Sequence, residues 1–169
     1  MSRGLGDVYK RQADIDAFAK DVTYNVVDDA NDIAAELSGS NDQLDEAVSV
    51  TVTGGTVDVA DAAAIQGISG YVDSTASSYD IVDSASAIVG ATDAILNTGG
   101  VATVTVSDVA TAEQGVAING FTKEVFFDVD SSADALATAI SGDSALLDEA
   151  GSVTVTGGTV DVADAAAIQ

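Results

Sequence analysis

Carboxylates are the residues of this chain best suited to chemistry, and calcium binding is the first chemistry to test. Asp128, Asp130 and Asp134 stand in Asp128-Val129-Asp130-Ser131-Ser132-Ala133-Asp134, with spacing like that of the oxygen ligands in an EF-hand loop. Such a loop needs glycine at its sixth position for a sharp turn and glutamate at its twelfth as a bidentate ligand. Ala133 and Ala139 occupy those places, so the motif fails. Gly157-Gly158-Thr159-Val160-Asp161 carries part of the glycine-rich nonapeptide that binds calcium in β-rolls, but it lacks the third glycine and the tandem nine-residue spacing. Asp45-Glu46 and Asp148-Glu149 are adjacent carboxylates. Neighbours in sequence point in different directions, so they read as solvated helix ends rather than an acid–base pair. The sequence therefore singles out no catalytic, cofactor-binding or metal-ligating residue. Calcium enters only as an ion that clustered loop carboxylates would attract.

Composition narrows the chemistry further. The chain has 28 Asp and Glu against 5 Lys and Arg, a formal net charge of −23, and no His or Cys. Thiolate nucleophiles, imidazole bases, Ser-His-Asp relays and thiolate or imidazole zinc sites are all excluded, because each needs one of the missing side chains. Serine and threonine abound, but no activating base accompanies them. Gly54-Gly55 and Gly157-Gly158 lack the lysine of a phosphate loop and read as turn glycines. So anionic a surface repels nucleic acid, whose binding rests on Lys and Arg contacts to phosphate. No apolar run approaches the roughly 18 residues of a membrane span. The reading is that of a non-enzyme. Self-repulsion should also make it less stable at low salt.

The elements that hold these residues are arranged as a repeat. Residues 1–12 (MSRGLGDVYKRQ) differ in composition from the rest and hold three of the five basic residues. They resemble translated sequencing-adapter read-through and are expected to be an artefactual, disordered leader, which leaves Lys20 and Lys123 as the only basic residues beyond it. Ser49–Gln66 (SVTVTGGTVDVADAAAIQ) recurs unchanged as Ser152–Gln169, and the same offset of 103 aligns Ile15–Gln66 with Ile118–Gln169 without a gap at 31 of 52 positions. Ile15-Asp16-Ala17-Phe18 and Ile118-Asn119-Gly120-Phe121 have a counterpart in Ile68-Ser69-Gly70-Tyr71. These landmarks predict repeat A over residues 15–67, a diverged repeat B over 68–117 and repeat A′ over 118–169, the last stopping inside a unit.

Each repeat alternates strand-like and helix-like stretches. Tyr24–Val27 reads as a strand, Asp28 or Asp29 as an N-cap, and Ala30, Ile33, Ala34 and Leu37 as the apolar face of a short helix ending at Gly39. Tyr79–Val82 with Asp83 or Ser84, and Phe127–Val129 with Ser131 or Ser132, repeat the arrangement. Tyr24, Tyr79 and Phe127 fall at one place in successive repeats, as a core ladder would require. A turn or short helix follows, ending in Leu44-Asp45-Glu46-Ala47, and Val48–Thr53 then alternates as a half-buried strand. The stretch after Gly54-Gly55 is open to two readings. It resembles a two-residue hairpin, while Asp58 or Asp61 before Ala62–Ile65 signals another capped helix. Each repeat can be divided into two strand–cap–helix halves of about 25 residues. The expected fold is an α/β repeat, a solenoid-like stack of short strands and short Ala-rich helices, with all-β sandwich modules as the alternative.

The stretch Tyr79-Asp80-Ile81-Val82-Asp83-Ser84-Ala85, together with LDEA followed by SVTVTGGTVDVADAAAI, resembles tandem acidic repeats of giant secreted or cell-surface adhesin-like proteins of marine bacteria, cyanobacteria among them. The resemblance covers residues 13–169. It implies an extracellular, cell-surface location and a structural, spacer or display role without catalysis. Neighbouring repeats of the same chain would be the partners, and glycans or calcium would bind only if the module is adhesive. The motifs are structural, so no functional residue carries over.

Overall fold

The computed structural model describes residues 23–39, 44–141, 143–159 and 162–168; the leader expected over residues 1–12 lies outside them. The fold is α/β, with six strands interleaved with helices, and the all-β sandwich alternative does not form. The elements are β1 (Asn25–Asp28), α1 (Ala30–Ser38), β2 (Ser49–Val57), α2 (Val59–Gln66), β3 (Ser78–Asp83), α3 (Ala85–Gly90), α4 (Asp93–Leu96), β4 (Val101–Ala110), α5 (Ala112–Asn119), β5 (Val125–Ser131), α6 (Ala133–Ile140), a 3-10 turn (Ser144–Leu147), β6 (Ser152–Val155) and α7 (Val162–Ile168). By packing they form two units. Thr98–Gly100 belongs to the first with the chain up to Tyr79, and Asp80–Asn97 to the second with the chain from Val101.

Short polar caps explain why strands switch to helices where they do. Asp29, Asp58, Ser84 and Ser132 each accept the backbone N–H three residues on, ending the strand and satisfying a donor that the first helical turn leaves unpaired. Thr111 forms a full capping box with Gln114, at 3.3 Å in one direction and 2.9 Å in the other. In four helices the residue after the cap is a buried alanine, Ala30, Ala85, Ala112 or Ala133. A methyl group there lets the first turn lie close against the strands. Gly39, Gly67 and Gly120 stop α1, α2 and α5; α6 stops at Ser141, whose φ is 48°.

In the first unit β1 pairs in parallel with β2, Asn25 opposite Ser49. Val26, Val50, Val52 and Val57 on the strands and Ala30, Ile33, Ala62 and Ile65 on the helices are all buried in its core. In the second unit β5 pairs in parallel with β4 on one side and β6 on the other, over a core that includes Ile88, Val104, Ile118, Val125, Leu136 and Ile140. Gly115, in the middle of α5, has a packing reason. A Cβ there would meet Val129 and Leu147 at 2.8 Å, so the absent side chain makes room for β5 and the 3-10 turn.

The Gly54-Gly55 stretch does not turn back as a hairpin. β2 runs through both glycines, at φ of 106° and 91°, to Val57, and Asp58 then caps α2. The strand-then-helix alternative is therefore the correct one. The glycines make a kink that lets β2 pass the start of α1, where a Cβ on Gly55 would meet the Ala30 nitrogen at 2.9 Å. β4 lacks the glycines and has a bulge instead: Thr105 pairs with Phe126 but Val109 with Asp128, so β4 carries two extra residues.

Candidate functional site: the acidic strand-to-helix junctions

Several carboxylates and amides on the strands and around these junctions reach a partner one strand–helix step away along the chain. In the first unit the Asn25 side chain accepts from the Ser49 hydroxyl at 2.8 Å, and Asp73 accepts the Gly99 N–H at 2.6 Å. Asn31 clamps Thr56 from both sides, donating to its carbonyl at 2.7 Å and accepting its N–H at 3.1 Å. In the second unit Asp80 accepts from the backbone and hydroxyl of Thr103, and Asp108 accepts the Ala85 N–H at 2.6 Å. Asp128 and Asp130 accept the hydroxyls of Ser152 and Thr156, both at 2.6 Å. Asn119 holds Ala145 and Glu149 as Asn31 holds Thr56. Those accepted by the aspartates are charge-assisted, and such bonds are among the stronger hydrogen bonds available to a protein.

This placement assigns the residues considered from sequence. Asp128 and Asp130 sit on β5 as interstrand acceptors and Asp134 in the first turn of α6, so the three do not form a loop around an ion. Asp45, Glu46, Asp148 and Glu149 are all exposed, and the Glu149 N–H donates to Asn119. Gly157 and Gly158 repeat the positive φ of Gly54 and Gly55, and the Gly157 carbonyl accepts the Ala133 N–H at 3.1 Å. Tyr79 and Phe127 are buried core residues, whereas Tyr24 is half-buried. Lys123 donates to the Val101 carbonyl at 2.7 Å.

Sequence reasoning missed two features. Among the described residues, one group of carboxylates gathers closely enough to hold a cation: ligand oxygens of Asp28, Asp29 and Asp32, at the β1–α1 junction, lie within 4.8 Å of one another. The signal is the run Asp28-Asp29, whose own spacing suggests only an N-cap, with Asp32 one helical turn on. The fit to calcium is partial. Asp28 already accepts the Asp29 N–H at 2.9 Å and Asp29 the Asp32 N–H at 3.0 Å, and calcium takes six to eight oxygens. The triad is also not repeated, since Ser84 and Ser132 stand at the corresponding caps. The second missed feature is Tyr71, whose hydroxyl is buried beside Tyr79 and Thr98; burial pushes its pKa far above the ordinary tyrosine value.

Burial also pushes the Asp28 carboxyl up. The Asp29 N–H draws it partly back, and the charges of Asp32 and Asp29 add to the rise. A raised carboxyl contributes stability below its ordinary value near 3.8 and loses it as pH rises through the raised value, so near neutral pH the ionised group is a net cost. Asp28→Asn, which keeps an oxygen for the Asp29 N–H, should therefore raise stability near pH 7 by about 0.5 kcal/mol after solvent screening and do nothing near pH 3. Thermal unfolding at the two pH values checks this; a loss near pH 7 would mean that the hydrogen bond outweighs the repulsion.

An open groove beside α5 and α6 is lined by Thr111, Glu113, Ser131, Ser132, Asp134 and Thr138. Three of its hydroxyls serve the backbone, as caps at Thr111 and Ser132 and as a donor to the Asp134 carbonyl at Thr138. Compared with protein-family models, curated proteins and solved structures, the chain matches none.

Proposed function

We propose that this chain is a structural repeat module, a spacer or display element of a large extracellular, adhesin-like surface protein, and that it performs no catalysis. In this reading the strand–cap–helix halves form a solenoid-like stack. The observation that carries it is the use of the polar side chains. Asn25, Asn31, Asp73, Asp80, Asp108, Asn119, Asp128 and Asp130 each bond a residue 23 to 30 positions away, so the repeat's polar residues act as ties between successive turns. The extracellular setting rests on the resemblance to giant surface proteins and on an acidity that suits salty surroundings.

A second reading, a divalent-cation or glycan-binding adhesion module, is favoured by the Asp28, Asp29 and Asp32 group. Thermal unfolding by far-UV circular dichroism, at fixed ionic strength with millimolar calcium, magnesium or chelator, separates the two. A spacer is expected to show calcium and magnesium midpoints within about 2 °C of each other. A calcium-specific rise of many degrees, removed by Asp32→Asn, would overturn the spacer reading, because a ligand stabilises only the state that binds it.

A further inference from the structure

The eighteen residues Ser49–Gln66 and Ser152–Gln169 are identical. Each copy starts in the same register on its preceding strand, Asn25 opposite Ser49 and Asp128 opposite Ser152. Their surroundings differ sharply: Val50 and Val52 are fully buried, whereas their counterparts Val153 and Val155 are 42% and 44% exposed.

The segment after the first copy accounts for the difference. The Val50 N–H donates to the Gly70 carbonyl at 2.7 Å, the Val72 N–H donates to the Val50 carbonyl at 2.9 Å, and Val50 bridges Tyr71 in parallel. Further along, the Val52 N–H donates to the buried Ser77 hydroxyl at 3.2 Å. Successive peptide groups of a strand face opposite sides. The shared register therefore turns the N–H and C=O of Val153 toward the side that Gly70 and Val72 occupy on Val50. Beside that edge lies an apolar hollow lined by Leu136, Ile140, Leu147, Val153, Val155 and Ile168.

We propose that the edge formed by β6 and α7 is an acceptor site for a chain segment of the Gly67–Tyr79 type, added in parallel as that segment is added to β2. This rests on the repeat-module reading and names its partner: a repeat-B segment joined directly after α7 in the same polypeptide, as Gly67–Tyr79 is joined after α2. The recognition chemistry is that of strand addition, with backbone hydrogen bonds for affinity and side-chain fit for selection. The donor needs glycine at the Gly70 place, where a Cβ would meet the Ala47 carbonyl at 2.8 Å and the Val48 carbonyl at 3.3 Å. It needs the apolar Tyr71-Val72 pair and a hydroxyl at the Ser77 place.

The test extends the full chain after Gln169 with a second copy of residues 67–117, which reproduces the Gln66–Gly67 junction. Hydrogen exchange is then followed in the original and the extended chain. The Val153 and Val155 amides are expected to slow by about a hundredfold, toward the rates of Val50 and Val52. Valine at the appended counterpart of Gly70 should abolish the slowing. If the appended copy becomes protected while Val153 and Val155 still exchange fast, the acceptor site is overturned and the repeat-module reading stands. If the appended copy gains no protection of its own, both fall. Self-association of the unextended chain that Val153→Asp abolishes would also overturn the proposal, because a second copy would then be the occupant.

Discussion

Gly55→Ala is expected to destabilise the chain by about 2–4 kcal/mol, while Gly54→Ala, one residue earlier on the same strand, should cost only about 1–2 kcal/mol. Both glycines have positive φ, 106° at Gly54 and 91° at Gly55, so alanine pays the left-handed penalty at either position. Their surroundings differ. A Cβ on Gly54 meets nothing within 4 Å, whereas one on Gly55 would lie 2.9 Å from the Ala30 nitrogen, 3.2 Å from the Ala30 Cβ and 2.7 Å from the Asn31 side-chain oxygen. Asn31 is itself clamped to Thr56, and Ala30 is backbone in the first turn of α1, so neither yields cheaply. Urea unfolding of both variants, followed by circular dichroism, gives the comparison. Equal losses would mean that β2 does not pass close to α1 and that only backbone strain is at work. A smaller loss of the same origin is expected at Gly158, where the nearest atom to the added Cβ is the Ala133 nitrogen at 3.2 Å.

That close approach marks the boundary of what could be read from the residues alone. Capping is local, so Asp29, Ser84 and Ser132 were legible to within one residue, each as one of two adjacent polar residues standing just before an apolar period, and Ala30, Ile33 and Ala34 were legible on the face of α1. The strand-to-helix order of each half was legible for the same reason. Gly54-Gly55 was not, because the same dipeptide between alternating residues satisfies a hairpin and a kinked strand equally well; the choice is made by α1, some 25 residues earlier. The work of the acidic residues was hidden in a similar way. Asp128 and Asp130 carry no local sign that their partners are Ser152 and Thr156, and a search for ligand spacing looks within a dozen residues, not two dozen. The Asp28, Asp29 and Asp32 group was visible in sequence but carried the same signature as an ordinary cap. Repetition could have exposed the ties: where A has Asn25 and Ser49, A′ has Asp128 and Ser152, so the amide-to-carboxylate exchange keeps an acceptor opposite the same hydroxyl.

Ile65→Ala and Ile168→Ala form an unusually clean pair, because the repeated sequence supplies its own control. Ile65 is fully buried in the first unit; Ile168, its counterpart, is half-buried beside the open edge of β6. Truncating a fully buried isoleucine loses its transfer free energy and leaves a cavity, a cost of about 3–4 kcal/mol. Where solvent already reaches the side chain, no closed cavity forms and the loss should be about 1 kcal/mol. Both isoleucines follow VADAAA, so the changes in helix propensity and in local structure of the unfolded chain largely cancel between the two variants. What remains is the tertiary environment. Repeat structures can unfold in parts, so the readout should be local: hydrogen exchange of α2 in one variant and of α7 in the other, beside the global unfolding curve. A loss at Ile168 as large as that at Ile65 would mean that its edge is already covered, and would remove the exposed apolar surface on which strand addition at β6 depends. A difference of 2 kcal/mol or more is what the arrangement demands, since one sequence in two environments can differ only by what packs against it.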